Sequence, residues 1–218
     1  MRAYYPAIFC LASCAALSSC KSSKPSQTSA VQGQLSDSLT RTVVFAPDQQ
    51  VHFDLNIGDV QILPDSNDQE LRLTIQPKHP VSNTEMQSWV HQFDVSNHQA
   101  DIRLTTPKHA NVTVRLYVPS STSLNINAGV GNLNVDRIRG DKDLHVGVGD
   151  LRIDVAHLAE IGHVETHTRI GDIHDALNRQ GNESGFLGKD ENFSLGGLHH
   201  LQASTGIGDV TIDREGNS

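Results

Sequence analysis

Five segments of this chain repeat one short pattern around a glycine followed by an acid or its amide. They are Asn56-Ile-Gly58-Asp59-Val-Gln-Ile62, Gly129-Val-Gly131-Asn132-Leu-Asn-Val135, Gly147-Val-Gly149-Asp150-Leu-Arg-Ile153, Arg169-Ile-Gly171-Asp172-Ile-His-Asp175 and Gly206-Ile-Gly208-Asp209-Val-Thr-Ile212. From Gly131 the second glycines fall 18, 22 and 37 residues apart, and 37 is close to two periods. A period near 20 residues is a solenoid signature, because so short a unit buries an apolar face only by stacking on its neighbours. The gap before Gly208 then predicts a degenerate copy near Gly185 to Gly197, marked by Gly188 or Gly196-Gly197 and carrying an insertion.

Within each copy the residue before the second glycine is Ile57, Val130, Val148, Ile170 or Ile207, and the residues two and four after it are apolar, with Asp175 the one exception. Strand side chains alternate with period two, so apolar positions three apart predict a slip by one at Gly-Asp, at a corner or bulge between two short strands. Glycine supplies the backbone angles there, and Asp or Asn accepts a hydrogen bond from a nearby N–H. The column Gly58, Asp59, Gly131, Asn132, Gly149, Asp150, Gly171, Asp172, Gly208 and Asp209 therefore reads as structural turns before it reads as chemistry. The predicted fold is all-β: a parallel β-solenoid over 120-213, right-handed by the commoner sense of parallel crossovers, with residues 214-218 as a tail.

Residues 40-119, which hold only the copy at Asn56–Ile62, differ from the repeats that follow. Runs at Thr42-Phe45, Val51-Leu55, Glu70-Ile75, Phe93-Val95, Asp101-Leu104 and Val112-Val118 alternate as strands and are separated by Asp, Asn and Pro turns. Ser82-Asn-Thr-Glu85 is a capping box, and Met86, Trp89, Val90 and Phe93 follow at helical spacing, which predicts one short helix over 83-92. This β-rich segment is expected to cap one end of the solenoid and cover its open edge.

The N-terminus carries a different message. Arg2 precedes an uncharged, largely apolar run from Ala3 to Leu17, then small residues and Cys20, the layout of a secretory signal. Leu17-Ser-Ser-Cys20 resembles the bacterial lipobox, which implies a signal peptide over 1-19 and lipid on Cys20; Leu11-Ala-Ser-Cys14 is a second match behind a shorter apolar run. A plain cleaved signal or an uncleaved anchor are the other readings. Lys21 follows in place of the Asp that resembles an inner-membrane retention signal, so the analogy favours the outer membrane. Residues 20-39 are polar and too poor in apolar groups to offset their ordering entropy, a flexible tether by composition.

Arg115-Leu-Tyr-Val-Pro119, Leu124-Asn-Ile126, the repeated Gly-x-Gly-Asp corners and the closing Ala203-Ser-Thr-Gly-Ile-Gly-Asp-Val-Thr-Ile212 together resemble the bacterial "putative adhesin" domains of unknown function. The resemblance spans about residues 40 to 213 and implies a β-solenoid in the cell envelope, with no catalytic residues attached. Asn56 and Arg169 in place of the first glycine, and Asn132 in place of Asp, depart from the pattern.

Other chemistry was sought by residue type. All three cysteines, Cys10, Cys14 and Cys20, lie in the leader, so the body has no disulfide, thiol nucleophile or Cys-ligated zinc. With 17 Lys+Arg against 25 Asp+Glu, a net charge of −8 and no basic run, nucleic acid is not expected as a partner. His163-Val-Glu-Thr-His167 has zinc-helix spacing, but on a strand four residues span about 13 Å and cannot close on one ion. His145 and His167 align four residues before their corner glycines and are expected about 4.8 Å apart on successive rungs, as a polar ladder or a weak metal- or pH-responsive pair. His199-His200 read as surface. Stacked Asp150 and Asp172 could serve a carbohydrate-cleaving β-helix, yet a corner residue repeated in every copy is more economically a turn. Arg137, Arg139, Arg152 and Arg169 lie near the copies without evident convergence.

No cofactor, metal site or catalytic residue is expected. The reading is a non-catalytic, adhesin-like envelope lipoprotein, anchored to the membrane by its lipid and contacting an envelope protein, glycan or cell-wall partner. The alternative is a carbohydrate-active β-helix enzyme, a polysaccharide lyase or hydrolase. Segment 178-200, which breaks the repeat, is the loop best placed to carry something specific. Ligand, orientation in the envelope and oligomeric state are not encoded in these patterns.

Overall fold

The computed structural model describes residues 35–96, 98–177 and 187–214. Its strands begin with β1 (Leu35–Ser36), β2 (Leu39–Val44), β3 (Gln50–Ile57), β4 (Asp59–Pro64), β5 (Glu70–Pro77) and β6 (Val81–Ser82). Helix α1 (Asn83–Trp89) leads into β7 (Val90–Val95), β8 (Gln99–Leu104), β9 (Val112–Val118), β10 (Ser123–Val130) and β11 (Leu133–Asp136). Then come β12 (Lys142–Val148), β13 (Leu151–Val155), a short 3-10 turn at Leu158–Glu160, β14 (Ile161–Ile170), β15 (Ile173–Asp175), β16 (Leu187–Ser194), β17 (His199–Ile207) and β18 (Val210–Arg214).

The predicted parallel solenoid is not what forms. The strands make two mixed eight-stranded sheets, ordered β16-β14-β17-β12-β10-β3-β8-β7 and β15-β18-β13-β11-β4-β9-β5-β2, with β1 and β6 as a separate antiparallel pair. The middle of each sheet is parallel; the first sheet has an antiparallel pair at each end, β14 with β16 and β7 with β8, whereas the second is antiparallel at one end, β2 with β5 and β5 with β9, and parallel at the other, where β15 pairs with β18. Each Gly-Asp copy supplies one corner and two strands, one per sheet, so it builds a V-shaped rung rather than a closed coil. Stacking order also departs from chain order. The β17/β18 rung inserts between β12/β13 and β14/β15, and β3/β4 sits between β8/β9 and β10/β11. Where the spacing predicts a degenerate copy, the described residues Leu187–Ser194 form an antiparallel edge strand on β14.

The alternation also slips somewhere else than expected. In β12 Leu144 and Val146 point inward, Val148 points out, Asp150 points out, and Leu151 and Ile153 point in again. Alternation thus runs unbroken through Gly149-Asp150 and breaks between Val146 and Val148, at the first glycine, Gly147. β10 with Gly129 and β17 with Gly206 repeat this. A Cβ on Gly147 would overlap the carbonyl oxygen of Gly129, and one on Gly129 or Gly206 would overlap its own neighbour in the same way. Glycine at this position lets neighbouring rungs approach closely.

One core cluster lies between the sheets, with Phe53, Ile62, Leu73, Ile102, Leu116, Ile126, Leu133 and Leu151 all essentially inaccessible. Each such side chain contributes about 1.5–3 kcal/mol by leaving water. At the β2/β7 end α1 plugs the opening: Ser82 Oγ accepts from the Glu85 N–H (3.2 Å), as the capping box requires, and Met86 and Trp89 are buried. The helix is shorter than predicted, because the chain becomes strand at Val90 to pair with Leu104. Polar side chains also enter the core, among them Thr166, Thr168, Thr205 and a lysine. Lys142 stands in register between Leu124 and Leu201 at 3% exposure, its Nζ donating to the Gly140 carbonyl (2.8 Å). Burial pushes its ammonium down from 10.5 to about 8, and Asp141 and Glu160 offset part of that shift.

Candidate interaction surface at the glycine-aspartate corner

The five corners stack in the order Gly58, Gly131, Gly149, Gly208, Gly171, all with φ between +135° and +144°. A side chain is strained at such angles, and here space forbids it too: a Cβ on Gly149 would collide with the Gly131 carbonyl oxygen. Backbone bonds tie the stack together on both sides of each corner. Gly131 N–H donates to Val148 O (2.9 Å) and Gly149 N–H to Ile207 O (2.8 Å), while Leu133 N–H reaches Asp150 O and Leu151 N–H reaches Asp209 O, both at 2.9 Å.

The acid column adds a second ladder. Asp59 Oδ1 accepts from Asn132 N–H (2.9 Å), Asn132 Oδ1 from Asp150 N–H (3.0 Å), Asp150 Oδ1 from Asp209 N–H (3.0 Å) and Asp209 Oδ1 from Asp172 N–H (2.7 Å). Asn132 serves as well as Asp because only one acceptor oxygen is needed. The last carboxylate, Asp172, takes the ammonium of Lys189 from β16 instead. That hydrogen bond, the positive charge behind it and, more weakly, His174 hold the Asp172 carboxyl below its ordinary value. Asn56 and Arg169 occupy the first-glycine column at the first and last of these corners, and Asn56 bonds Thr106 through both amide atoms.

Because the alternation breaks at the first glycine, Val130, Val148 and Ile207, the residues before those corners, are exposed, and Ile57 and Ile170 are half-buried. Ile57, Val130, Val148, Ile207, Ile170 and Leu187 are partners in unbroken register across six strands of the first sheet. Val130 is 47% exposed, Val148 44%, Ile207 50% and Leu187 69%, while Leu133 and Leu151, three residues beyond the first two, are at 0%. An apolar rail therefore runs along the outside of the corner beside the acid rail. The sequence pattern places the slip at Gly-Asp, which would put the residue before each corner on the same face as those two and four after it; the exposure of Val130, Val148 and Ile207 places the break at the first glycine instead.

The outer face of the first sheet is polar. His145 and His167 are not adjacent: Ser204 lies between them, because β17 separates β12 from β14, and His145 Nδ1 bonds Ser204 Oγ (3.0 Å) while His167 pairs with Asp190. His163 and His167 share one strand, β14, and His163 stacks on His200 with ring centroids 5.3 Å apart. His199 faces Asp141 (3.3 Å). A hollow of about 270 Å³ is lined by Glu165, His167, Asp190, Gln202 and Ser204, with Glu165 accepting from Asn192 (3.4 Å). Among the described residues no group of three or more His, Cys, Asp or Glu is placed to hold a metal ion. Of the four arginines near the copies, Arg137 pairs with Asp136, Arg139 with Glu160 and Arg152 with Asp213; they do not converge. Cys20 and residues 20–34 of the expected tether lie outside the described residues, as do 178–186 of the irregular segment, whereas 35–39 already include β1 and the first residue of β2.

No protein-family description matches the chain, and no curated protein matches it. Solved structures do. A "putative cell adhesion protein" from Clostridium sporogenes aligns at 12% identity over 82% of this chain and 100% of its own, with a TM-score of 0.47. A "putative adhesin" from Bacteroides fragilis aligns at 8% identity over 81% and 97%, with a TM-score of 0.27. A "putative lipid binding protein" from Parabacteroides distasonis aligns at 9% identity over 64% and 70%, also at 0.27. Those names describe the similar proteins.

Proposed function

We propose that the chain is a non-catalytic, adhesin-like binding protein of the cell envelope, held to the outer membrane by lipid on Cys20 and offering its repetitive outer surface to an envelope protein, glycan or cell-wall partner. One observation carries the non-catalytic reading. Each side-chain oxygen used in the acid column, from Asp59 to Asp209, accepts a backbone N–H of the next rung, and Asp172 accepts Lys189. Acid–base cleavage of a glycosidic bond needs carboxyls that can trade protons with substrate; here one oxygen of each repeated carboxyl is committed to holding rungs together. The leader sequence, with Arg2, the apolar run and Leu17-Ser-Ser-Cys20, supports export and anchoring.

The hollow beside β14 is the place where the enzyme alternative would act, since Glu165 and Asp190 lie outside the corner column. Incubating the full chain with envelope polysaccharide and cell-wall fractions of its native bacterium separates the two. Retention of a fraction without new reducing ends or unsaturated products is the expected result. Release of oligosaccharides by the native chain, lost in Glu165→Gln, would replace binding by catalysis. Labelled fatty acid should enter the native chain and not Cys20→Ser; equal labelling of both would remove the proposed anchor.

A further inference from the structure

We propose that the corner docks a basic amphipathic helix, which lies along the stack with its apolar face on the rail and its cationic flank over the acid column. This rests on the reading of the chain as a binding protein and names the partner's chemistry. Four of the large apolar side chains most open to solvent, Val130, Val148, Ile207 and Leu187, fall on this single line, with half-buried Ile57 and Ile170 completing it. Continuous exposed apolar surface bordered by charge marks an interaction site rather than the ordinary scatter of surface leucines and valines.

Charge and spacing select the occupant. The residues just before and just after each corner glycine flank the same stacked corner, so the two rails run side by side along it. Asp59, Asp150 and Asp209 each accept a neutral backbone N–H. At one end of the column Lys189 pairs with Asp172, while Arg152 in the next row is engaged by Asp213 at 2.6 Å. A partner must therefore bring positive charge along one flank of an apolar stripe. Six strands span about 24 Å, the length of a helix of about 16 residues. Helical anchors one turn apart recur every 5.4 Å, near the 4.8 Å rung spacing, whereas side chains on one face of an extended strand recur at about 6.6 Å and lose step after one rung. An anionic lipid surface is disfavoured by the same carboxylates.

The test uses the full chain carrying Cys20→Ser, so that no lipid contributes, and a labelled 16-residue peptide of leucine and lysine with its leucines on one helical face. A peptide of equal composition with leucines spread around the helix is the control. The amphipathic peptide should bind at least about tenfold more tightly than the control, as expected when two or three apolar anchors are buried. Val148→Ser with Ile207→Ser should weaken it by about tenfold. Asp150→Asn with Asp209→Asn keeps the ladder, as Asn132 does, and should weaken binding several-fold at low salt while flattening its salt dependence. Unchanged thermal unfolding of both double variants shows that the fold is intact. Equal affinity for the two peptides, or undiminished binding by the serine variant, would overturn the proposal. So would binding to phosphatidylglycerol vesicles that the serine substitutions abolish, since the rail would then be a membrane contact. Envelope retention that persists in the serine variant leaves the broader binding role standing and removes only this site.

Discussion

Val148 and Leu151 are three residues apart, of similar chemistry, each repeated in neighbouring rungs, and they meet opposite fates: one is 44% exposed and the other inaccessible. What separates them is a break in the in/out alternation at Gly147, two residues before the corner glycine, which leaves Val146 buried and Val148 exposed while the neighbouring strands stay in register. The comparison teaches that apolar periodicity near a glycine pair fixes the spacing of faces but not which of them is inside. A column of Val and Ile can be core or contact surface according to a single backbone step.

The largest effect should come from removing the corner itself. Gly149→Val forces a β-branched residue to φ +138° and against the Gly131 carbonyl, and should cost at least about 3 kcal/mol or prevent folding, read from denaturant unfolding. Next, Leu151→Ala should cost about 2–5 kcal/mol and Val148→Ala no more than about 0.5 kcal/mol; equal costs would erase the difference between the columns.

Lys142→Leu should run the other way. With the ammonium pushed down to about 8 when folded, the native state carries a penalty on the order of 3 kcal/mol wherever the lysine is charged in both states, below pH 8. Between pH 8 and 10.5 the unfolded chain still holds a proton that the folded one has released, so stability rises with pH. The variant should thus be more stable at pH 7, and its advantage should shrink toward pH 10; an advantage independent of pH would mean that packing alone explains it. A smaller effect separates Asp150→Ala, which strands the Asp209 N–H and should cost about 1 kcal/mol, from Asp150→Asn, which should be close to neutral. The smallest is electrostatic. Lys189→Met should raise the Asp172 titration midpoint in a carboxyl-detected NMR titration, and the stabilisation from this pair should fade as pH falls through the carboxylate range.

Local features were legible because local chemistry dictates them. The strands of residues 40-119, the capped helix after Ser82 and the glycine corners all follow from period-two alternation, one side-chain cap and positive φ. Stacking order was not, because strand pairing is a choice among distant segments with the same Val/Ile/Leu faces. Nothing in the 37 residues between Gly171 and Gly208 says that the later rung will insert before the earlier one. The antiparallel strand at Leu187–Ser194 escaped for a related reason: Lys189-Asp-Glu191 reads as a loop, yet its lysine finishes the acid ladder. Lys142 was hidden by its type, since lysine is rarely placed at a core position without a partner.

The corner account is tested most directly by thiol accessibility. With Cys10, Cys14 and Cys20 changed to Ser, the chain has no other cysteine, so single substitutions Val148→Cys and Leu151→Cys report on one position each. The thiol at 148 should react with a neutral maleimide within about tenfold of the unfolded chain, and that at 151 should be slower by more than about a hundredfold under native conditions. Comparable protection at both positions would place the slip at Gly-Asp, return the apolar rail to the core, and contradict the surface described here.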